Sequence, residues 1–345
     1  MDYLPILQRA IAGEKLTTEE QEKLLAEKEN NKAFGITAVN GADFIKKRIQ
    51  LLQKVYPEVR KLCENIALKD SNQNLITLWN LWLPLAMQLA SQRKKLNRPL
   101  IQGILGGQGT GKTTLAVMMH LILKHLGYST LELSLDDLYK TYSERQKLQK
   151  EDPRLIWRGP PGTHDVDLGV ELLDNVRQGA TESLFVPRFD KSAWNGAGDR
   201  TQPEQVKEAD IVLFEGWFVG VRPIEESLFE AAPAPIMSAE NRQFARDMNR
   251  RLQAYLPLWS RLDRLLVLYP IDYRLSKQWR QEAEQKMKAT GKAGMSDEEI
   301  SRFVDYFWLA LHPQLFIKPL IRDASLVDLV VEINANHCPG KIYQP

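Results

Sequence analysis

Residues 106–113 read GGQGTGKT and satisfy G-x-x-x-x-G-K-[ST]. The motif constrains the fold because its backbone amides serve only if they converge on one concavity. That needs a strand to deliver the chain and a helix to carry it away. LIQGIL, 100–105, is a short apolar run of strand type. From Lys112 the chain continues as an amphipathic helix, with Gly127 placed to end it. A chance match in a glycine-rich turn would lack both flanks. Gly106 and Gly111 are expected to allow backbone angles that bring N–H groups to phosphate oxygens, with the positive helix end behind them. The expected nucleotide cradle is Gly106, Gly107, Gln108, Gly109, Thr110, Gly111, Lys112, Thr113 and Thr114. Lys112 is expected to reach the β- and γ-phosphates, and Thr113 to offer its hydroxyl to Mg2+.

The remaining apolar runs extend this frame. STLELSL (129–135), IVLF (211–214), RLLVLY (264–269) and LVDLVVEIN (326–334) are strand candidates separated by helical stretches. Near-continuous apolar strands alternating with helices predict an α/β fold, a three-layer sandwich with a mostly parallel sheet of about five core strands. Residues 1–95 read as a helical region. Thr18 with Gln21 is a candidate capping box there. LITLWNLWLPLAMQLA, 75–90, is shorter than the ~20 residues of a membrane span and is interrupted by Asn80, Pro84 and Gln88, so it reads as a buried helix. SQRKKLNRP, 91–99, reads as a polar, basic linker, and 96–345 as the nucleotide-binding domain.

With 46 basic against 44 acidic residues and a net charge of +2, charge gives no support for a nucleic-acid or membrane-surface partner. Cys63 and Cys338 are read as reduced structural thiols. MDYLPILQRAIAGEK lacks the basic start and long apolar run of a signal peptide, so the expectation is a soluble, cytoplasmic protein.

Four stretches carry chemistry. SLDDLY, 134–139, ends the second strand candidate, where parallel sheets bind ligands; Asp136 there suits proton acceptance, metal coordination or helix capping. IVLFEGW, 211–217, places Glu215 after four apolar residues, the form of an acid that meets Mg2+ through water. GPPGTHD, 159–165, offers His164 for substrate contact, against Thr163 or Asp165 as the cap of the next helix. VPRFDKSAWNGAGDR, 186–200, is dense in charge and small residues, without the period of a strand or helix, and reads as a binding loop. Arg280 lies in a charged helical stretch, and Ser296 with Glu299 forms a capping box before an apolar helical face.

These pieces together resemble the P-loop metabolite kinases related to uridine kinase, phosphoribulokinase and bacterial pantothenate kinase. Within them the chain is similar to the D-glycerate 3-kinases of plants and cyanobacteria. The residues that carry this are GGQGTGKTT, LDDLY, RGPPGTHD, VPRFDKSAWNGAGDR, FEGWFVG, WRQEAE and GMSDEEISRFVDYF, spanning roughly Pro99 to Asn334. The resemblance implies a P-loop NTPase fold with a helical lid at about 272–305, and ATP and Mg2+ as cofactors. It implies Lys112, Asp136 as general base and Arg280 as catalytic residues, with Thr113 and Glu215 toward the metal. Arg158, His164, Arg188, Lys191 and Arg200, with Asp136, would meet a small anionic hydroxy acid, D-glycerate. Another hydroxylated metabolite, pantothenate-like or a nucleoside, is the alternative acceptor. A GTPase switch would carry [NT]-K-x-D, which the chain lacks.

Overall fold

The computed structural model describes residues 3–26, 28–37, 40–179, 183–289 and 294–345. Readings that touch residues 1–2, 38–39 and 290–293, in the N-terminal stretch, the 35–43 loop and the expected lid, lie outside the described residues at those positions. The chain begins with helices α1 (Leu4–Ile11), α2 (Thr18–Leu25), α3 (Lys28–Ala33), α4 (Gly41–Asn65), α5 (Ser71–Thr77) and α6 (Leu83–Leu96), a π-helical turn at Leu78–Trp82 joining the last two. In α4 the buried positions Ile45, Arg48, Leu51, Leu52, Val55, Val59 and Cys63 recur at three- and four-residue steps, so one face turns inward.

Two readings of this region change. The capping box of α2 is Thr17 with Glu20, one residue earlier than expected. Glu20 accepts from the Thr17 N–H at 2.8 Å, whereas the Gln21 amide donates to the Leu16 carbonyl. The expected 91–99 linker is mostly helix, because arginine and lysine propagate α6 to Leu96, and Asn97 ends it at φ 51°.

Beyond it run β1 (Leu100–Gly106), α7 (Lys112–His125), β2 (Thr130–Ser134), α8 (Tyr142–Glu151), α9 (Val166–Arg177), β3 (Leu184–Val186), β4 (Phe189–Asp190), β5 (Asp199–Arg200), β6 (Glu204–Val206) and β7 (Ile211–Gly216). The chain closes with α10 (Ala239–Arg251), α11 (Leu256–Trp259), β8 (Arg264–Pro270), α12 (Leu275–Ala289), α13 (Asp297–Ala310), α14 (Pro313–Leu320), β9 (Leu329–Ile333) and β10 (Pro339–Tyr343). The main sheet has the order β10-β9-β8-β1-β7-β2. Its five expected strands are parallel. The sixth, β10, adds antiparallel to β9; PGKIY is too short and polar to announce itself. Gly127 ends α7 at φ 86°, and Ser296 with Glu299 caps α13, both as expected.

One apolar cluster joins α1, α4 and the 75–90 helix to α7 and one face of the sheet, through Leu52, Trp79, Leu89, Met119, Ile104 and Leu329. A second covers the other face, with Phe214, Phe218, Leu173 and Trp259. Among the described residues no helix is long and apolar enough to cross a membrane.

The edge remote from the phosphate loop is tied by Asp263. It accepts two hydrogen bonds from Arg98 at 2.9 and 2.6 Å, one from Arg177 at 2.8 Å and one from the Ile101 N–H at 2.9 Å. Asp263→Ala leaves two cations and an amide without their partner. Stability should fall by about 3–5 kcal/mol, the cost of breaking a buried pair by removing one member. Denaturant and thermal unfolding of wild type and variant measure it, and a change under about 1 kcal/mol would mean that water replaces the carboxylate.

Candidate active site

The ends of β1, β2 and β7 form one corner. At the end of β1 the glycines do two different jobs. Gly109 and Gly111 take φ of 76° and 88°, which L side chains rarely adopt. Gly106 does not. It is needed for room, because a Cβ there would lie 2.5 Å from Thr110 Oγ1 and 3.1 Å from Lys112 Cγ. That corrects the expectation of a special backbone angle at Gly106. Above Gly107 and Gly111 the space is open, as a phosphate cradle requires. Thr110 is buried and donates to the Gly107 carbonyl at 2.9 Å, closing the turn. Thr113 is exposed, and Thr114 half-buried, in the first turn of α7. The Gln108 side-chain oxygen is buried with no hydrogen-bond partner among the described residues.

Lys112 Nζ donates to the Gly107 carbonyl at 3.1 Å and stands 3.8 Å from Glu215 Oε2. Burial pushes its ammonium below the ordinary lysine range, with Glu215 and Asp136 opposing. Ser134, opposite Glu215 in the β2–β7 register, donates to Glu215 Oε1 at 2.8 Å. A hydroxyl at Thr113 and a carboxylate at Glu215 are the hard oxygen donors that suit Mg2+, which draws its other ligands from phosphates and water. Among the described residues no cluster of three or more His, Cys, Asp or Glu forms a metal cage, and Mg2+ bound with a nucleotide needs none.

Asp136 sits in the 3-10 turn Leu135–Leu138 that follows β2. Burial disfavours its charge, but Lys191 at 2.6 Å and a hydrogen bond from the Tyr139 hydroxyl outweigh that and hold its carboxyl below the usual range. Neighbouring Asp137 is lifted by burial; it accepts from the Ser134 N–H, completes the cap of the turn and pairs with Arg188. His164 is 2 % exposed. It stacks on Tyr139 with ring centroids 4.6 Å apart. Its Nδ1 lies 2.8 Å from the Tyr255 hydroxyl, whose oxygen already accepts from the Gly162 N–H. In the tautomer in which the Tyr255 hydroxyl donates to Nδ1, the imidazole N–H is on Nε2, a buried atom with no hydrogen-bond partner among the described residues. Asp165, not Thr163, caps α9.

The 186–200 segment is not a plain loop. β4 and β5 pair as a short antiparallel hairpin, a form its composition hides, with Trp194 and Asn195 at φ 52° and 55° in the tip. Its cations divide. Arg188 reaches Asp137 at 3.0 Å and Glu204 at 2.7 Å, and Arg200 reaches Asp165 at 3.0 Å and the Tyr139 carbonyl at 3.1 Å. These two brace the hairpin. Arg158 donates to the carbonyls of Gly196 and Ala197 at 2.7 and 3.1 Å, and Lys191 alone of the group meets Asp136. Arg280 in α12 pairs with Glu284 and lies 5.4 Å from the Phe303 ring, so it joins α12 to α13.

Sequence reading missed Tyr139, Tyr255, Ser134 and Arg145. Tyr139 stood inside SLDDLY and had a locatable position. Tyr255 lies 91 residues from the histidine it bonds, and nothing local marks it. Arg145 donates to the Lys140, Ala197 and Gly198 carbonyls, a role no spacing encodes.

No family model matches the chain. It is 34% identical over 227 residues to an uncharacterized kinase of Schizosaccharomyces pombe, covering 64% of this chain and 82% of that one. It is 36% identical over 219 residues to a chloroplastic D-glycerate 3-kinase of Arabidopsis thaliana, covering 61% of this chain and 46% of that longer one. A D-glycerate 3-kinase structure from Cryptococcus neoformans var. grubii matches at TM-score 0.68 and 27% identity, over 76% of this chain and 98% of its own.

Burial lowers the His164 pKa to about 3, so the folded protein keeps this imidazole neutral where an unfolded chain would protonate it. Its contribution is therefore intact above the unfolded pKa of about 6.5 and is lost as pH falls toward 3. His312, lowered to about 4 by burial, acts in the same window. Thermal midpoints across pH 7 to 4 should fall less steeply in His164→Gln than in wild type. Parallel curves would place a proton on the folded histidine.

Proposed function

Because the chain belongs to the P-loop kinase group that includes D-glycerate 3-kinase and uridine kinase, and is an ATP-dependent small-molecule kinase, we propose that its acceptor is D-glycerate. The proposed reaction moves the γ-phosphoryl of ATP to the 3-hydroxyl and gives 3-phosphoglycerate and ADP. One observation carries this reading: a carboxylate, an exposed lysine and a buried unpartnered imidazole nitrogen converge beside the phosphate loop, at Asp136, Lys191 and His164 Nε2. A small molecule bearing both a hydroxyl and a carboxylate uses all three.

The glycerate hydroxyl gives its proton to Asp136 while its oxygen bonds to the γ-phosphorus and the bond to the ADP oxygen breaks. Such transfers have a loose transition state, so the residues act mainly by position and charge. Lys112 neutralises the transferring group, and the loop amides hold its oxygens. Thr113 and Glu215 would hold Mg2+, which supplies neutralisation of the phosphate charge. Lys191 and Arg158 hold the acceptor carboxylate, and His164 Nε2–H donates to an acceptor oxygen. Arg188 and Arg200 act at one remove, by fixing the hairpin. Arg280 turns from Glu284 toward the triphosphate when the α12–α13 lid closes, which excludes water.

A second reading, an acceptor with an apolar arm of pantothenate type, has its own support. A cavity of about 80 Å³ beside Gly106 and Gly107 is lined by Trp217, Phe218, Phe307 and Trp308. ADP release measured with glycerate, pantothenate, nucleosides and no acceptor separates the two. Glycerate should give the highest kcat/KM, and a larger value for pantothenate would replace it. Asp136→Asn should lower kcat by about 10²–10⁴ and leave nucleotide affinity nearly unchanged. Loss of Mg2+–nucleotide binding with turnover retained would make Asp136 a metal residue instead.

A further inference from the structure

Each arginine of the 186–200 hairpin is locked. Withdrawing Arg188 would strand Asp137, and withdrawing Arg200 would strand Asp165; their side chains are only 29% and 24% exposed. Lys191 is different. Its side chain is 61% exposed, and its ammonium lies 2.6 Å from Asp136 Oδ2. An exposed lysine on a flexible four-carbon stem can leave such a pair, because water solvates the freed ammonium. On the same carboxylate the Tyr139 hydroxyl is a second donor. As the residues stand, the base is held by two donors before any acceptor arrives.

We propose that Lys191 guards Asp136: the ion pair keeps the carboxylate from activating water, and the carboxylate of the acceptor draws the ammonium away and frees the base for the acceptor hydroxyl. The inference rests on the proposed role of Asp136 and deepens it. In the reaction that is suppressed, water would give a proton to Asp136, its oxygen would bond to the γ-phosphorus, and ADP and phosphate would leave. In the reaction that is allowed, one molecule supplies both the anion that takes Lys191 and the hydroxyl that replaces it. In glycerate three bonds separate the carboxyl carbon from the 3-oxygen. An acid paired with Lys191 therefore presents its hydroxyl at Asp136. Glycerol, of similar size but without the anion, cannot release the guard. The lysine thus selects a hydroxy acid over a neutral alcohol and couples ATP consumption to the presence of acceptor.

The test measures ADP release without acceptor from the full-length wild type, Lys191→Met, Lys191→Gln and the Lys191→Met/Asp136→Asn double variant, with melting curves for each. Both single variants should release ADP about tenfold faster than wild type at an ATP KM within about twofold of it, and the double variant should return to the wild-type rate or below. KM for glycerate should rise by about 10- to 150-fold, the range for a lost charge-assisted contact. The kcat/KM preference for glycerate over glycerol should shrink with it. An unchanged acceptor-free rate in folded Lys191→Met and Lys191→Gln overturns the guard, as does a rise that persists without Asp136. If wild type ignores glycerate while the acceptor-free rates behave as expected, the acceptor assignment falls and the guard stands.

Discussion

The close approach at Gly106 sets the position of nearly everything else at the corner where β1, β2 and β7 end. β1 is paired on both sides, by β7 and β8, and is buried from Leu100 to Gly106. Where it ends, the turn closes so tightly that Thr110 Oγ1, Lys112 Cγ and Leu268 Cβ occupy the volume a side chain would need. The strand cannot shift without breaking two ladders, and the turn cannot open without losing the Thr110–Gly107 bond. Lys112 is thereby aimed at Glu215, and the β2–β7 register then brings Ser134 and the Asp136 turn to the same place.

The cleft beside it is built from charge arranged in depth. Burial alone would raise the carboxyls and lower the cations. Asp136 stays ionised because Lys191 and Tyr139 outweigh its burial, while His164 stays neutral because its burial outweighs the pull of Asp136. Neutral His164 is useful for that reason. A protonated imidazole would compete with Lys191 for Asp136, whereas the neutral ring offers one N–H and stacks on the tyrosine that holds the carboxylate.

Local chemistry was legible in the sequence wherever one segment contains it. GGQGTGKT fixes its own turn, FEG ends its own strand, and Ser296 with Glu299 caps its own helix. The five parallel strands were visible because burial on both faces leaves an unbroken apolar run. What stayed hidden depends on distant partners. Arg188 and Arg200 pair with Asp137 and Asp165, which the sequence shows only as acids elsewhere. β10 and the β4–β5 hairpin are set by pairing, since neither carries enough apolar residues to report itself. The basic run at 91–96 resembled a linker because its arginine and lysines are as common in exposed helix as in loop.

The single apolar cluster that unites the first helices with α7 has a mechanical meaning. Trp79, Leu83 and Leu89 pack with Met119 and Ile122 of the helix whose first residue is Lys112. The phosphate loop thus rests on a strut anchored from behind. In the proposed function, substrate entry is then accommodated by α12, α13 and the charged hairpin. Nor can the helical segment be cut away as an appendage. Its removal would bare the outer face of α7 and one face of the sheet to water, and the remaining fragment would carry an adhesive surface where the whole chain has an interior.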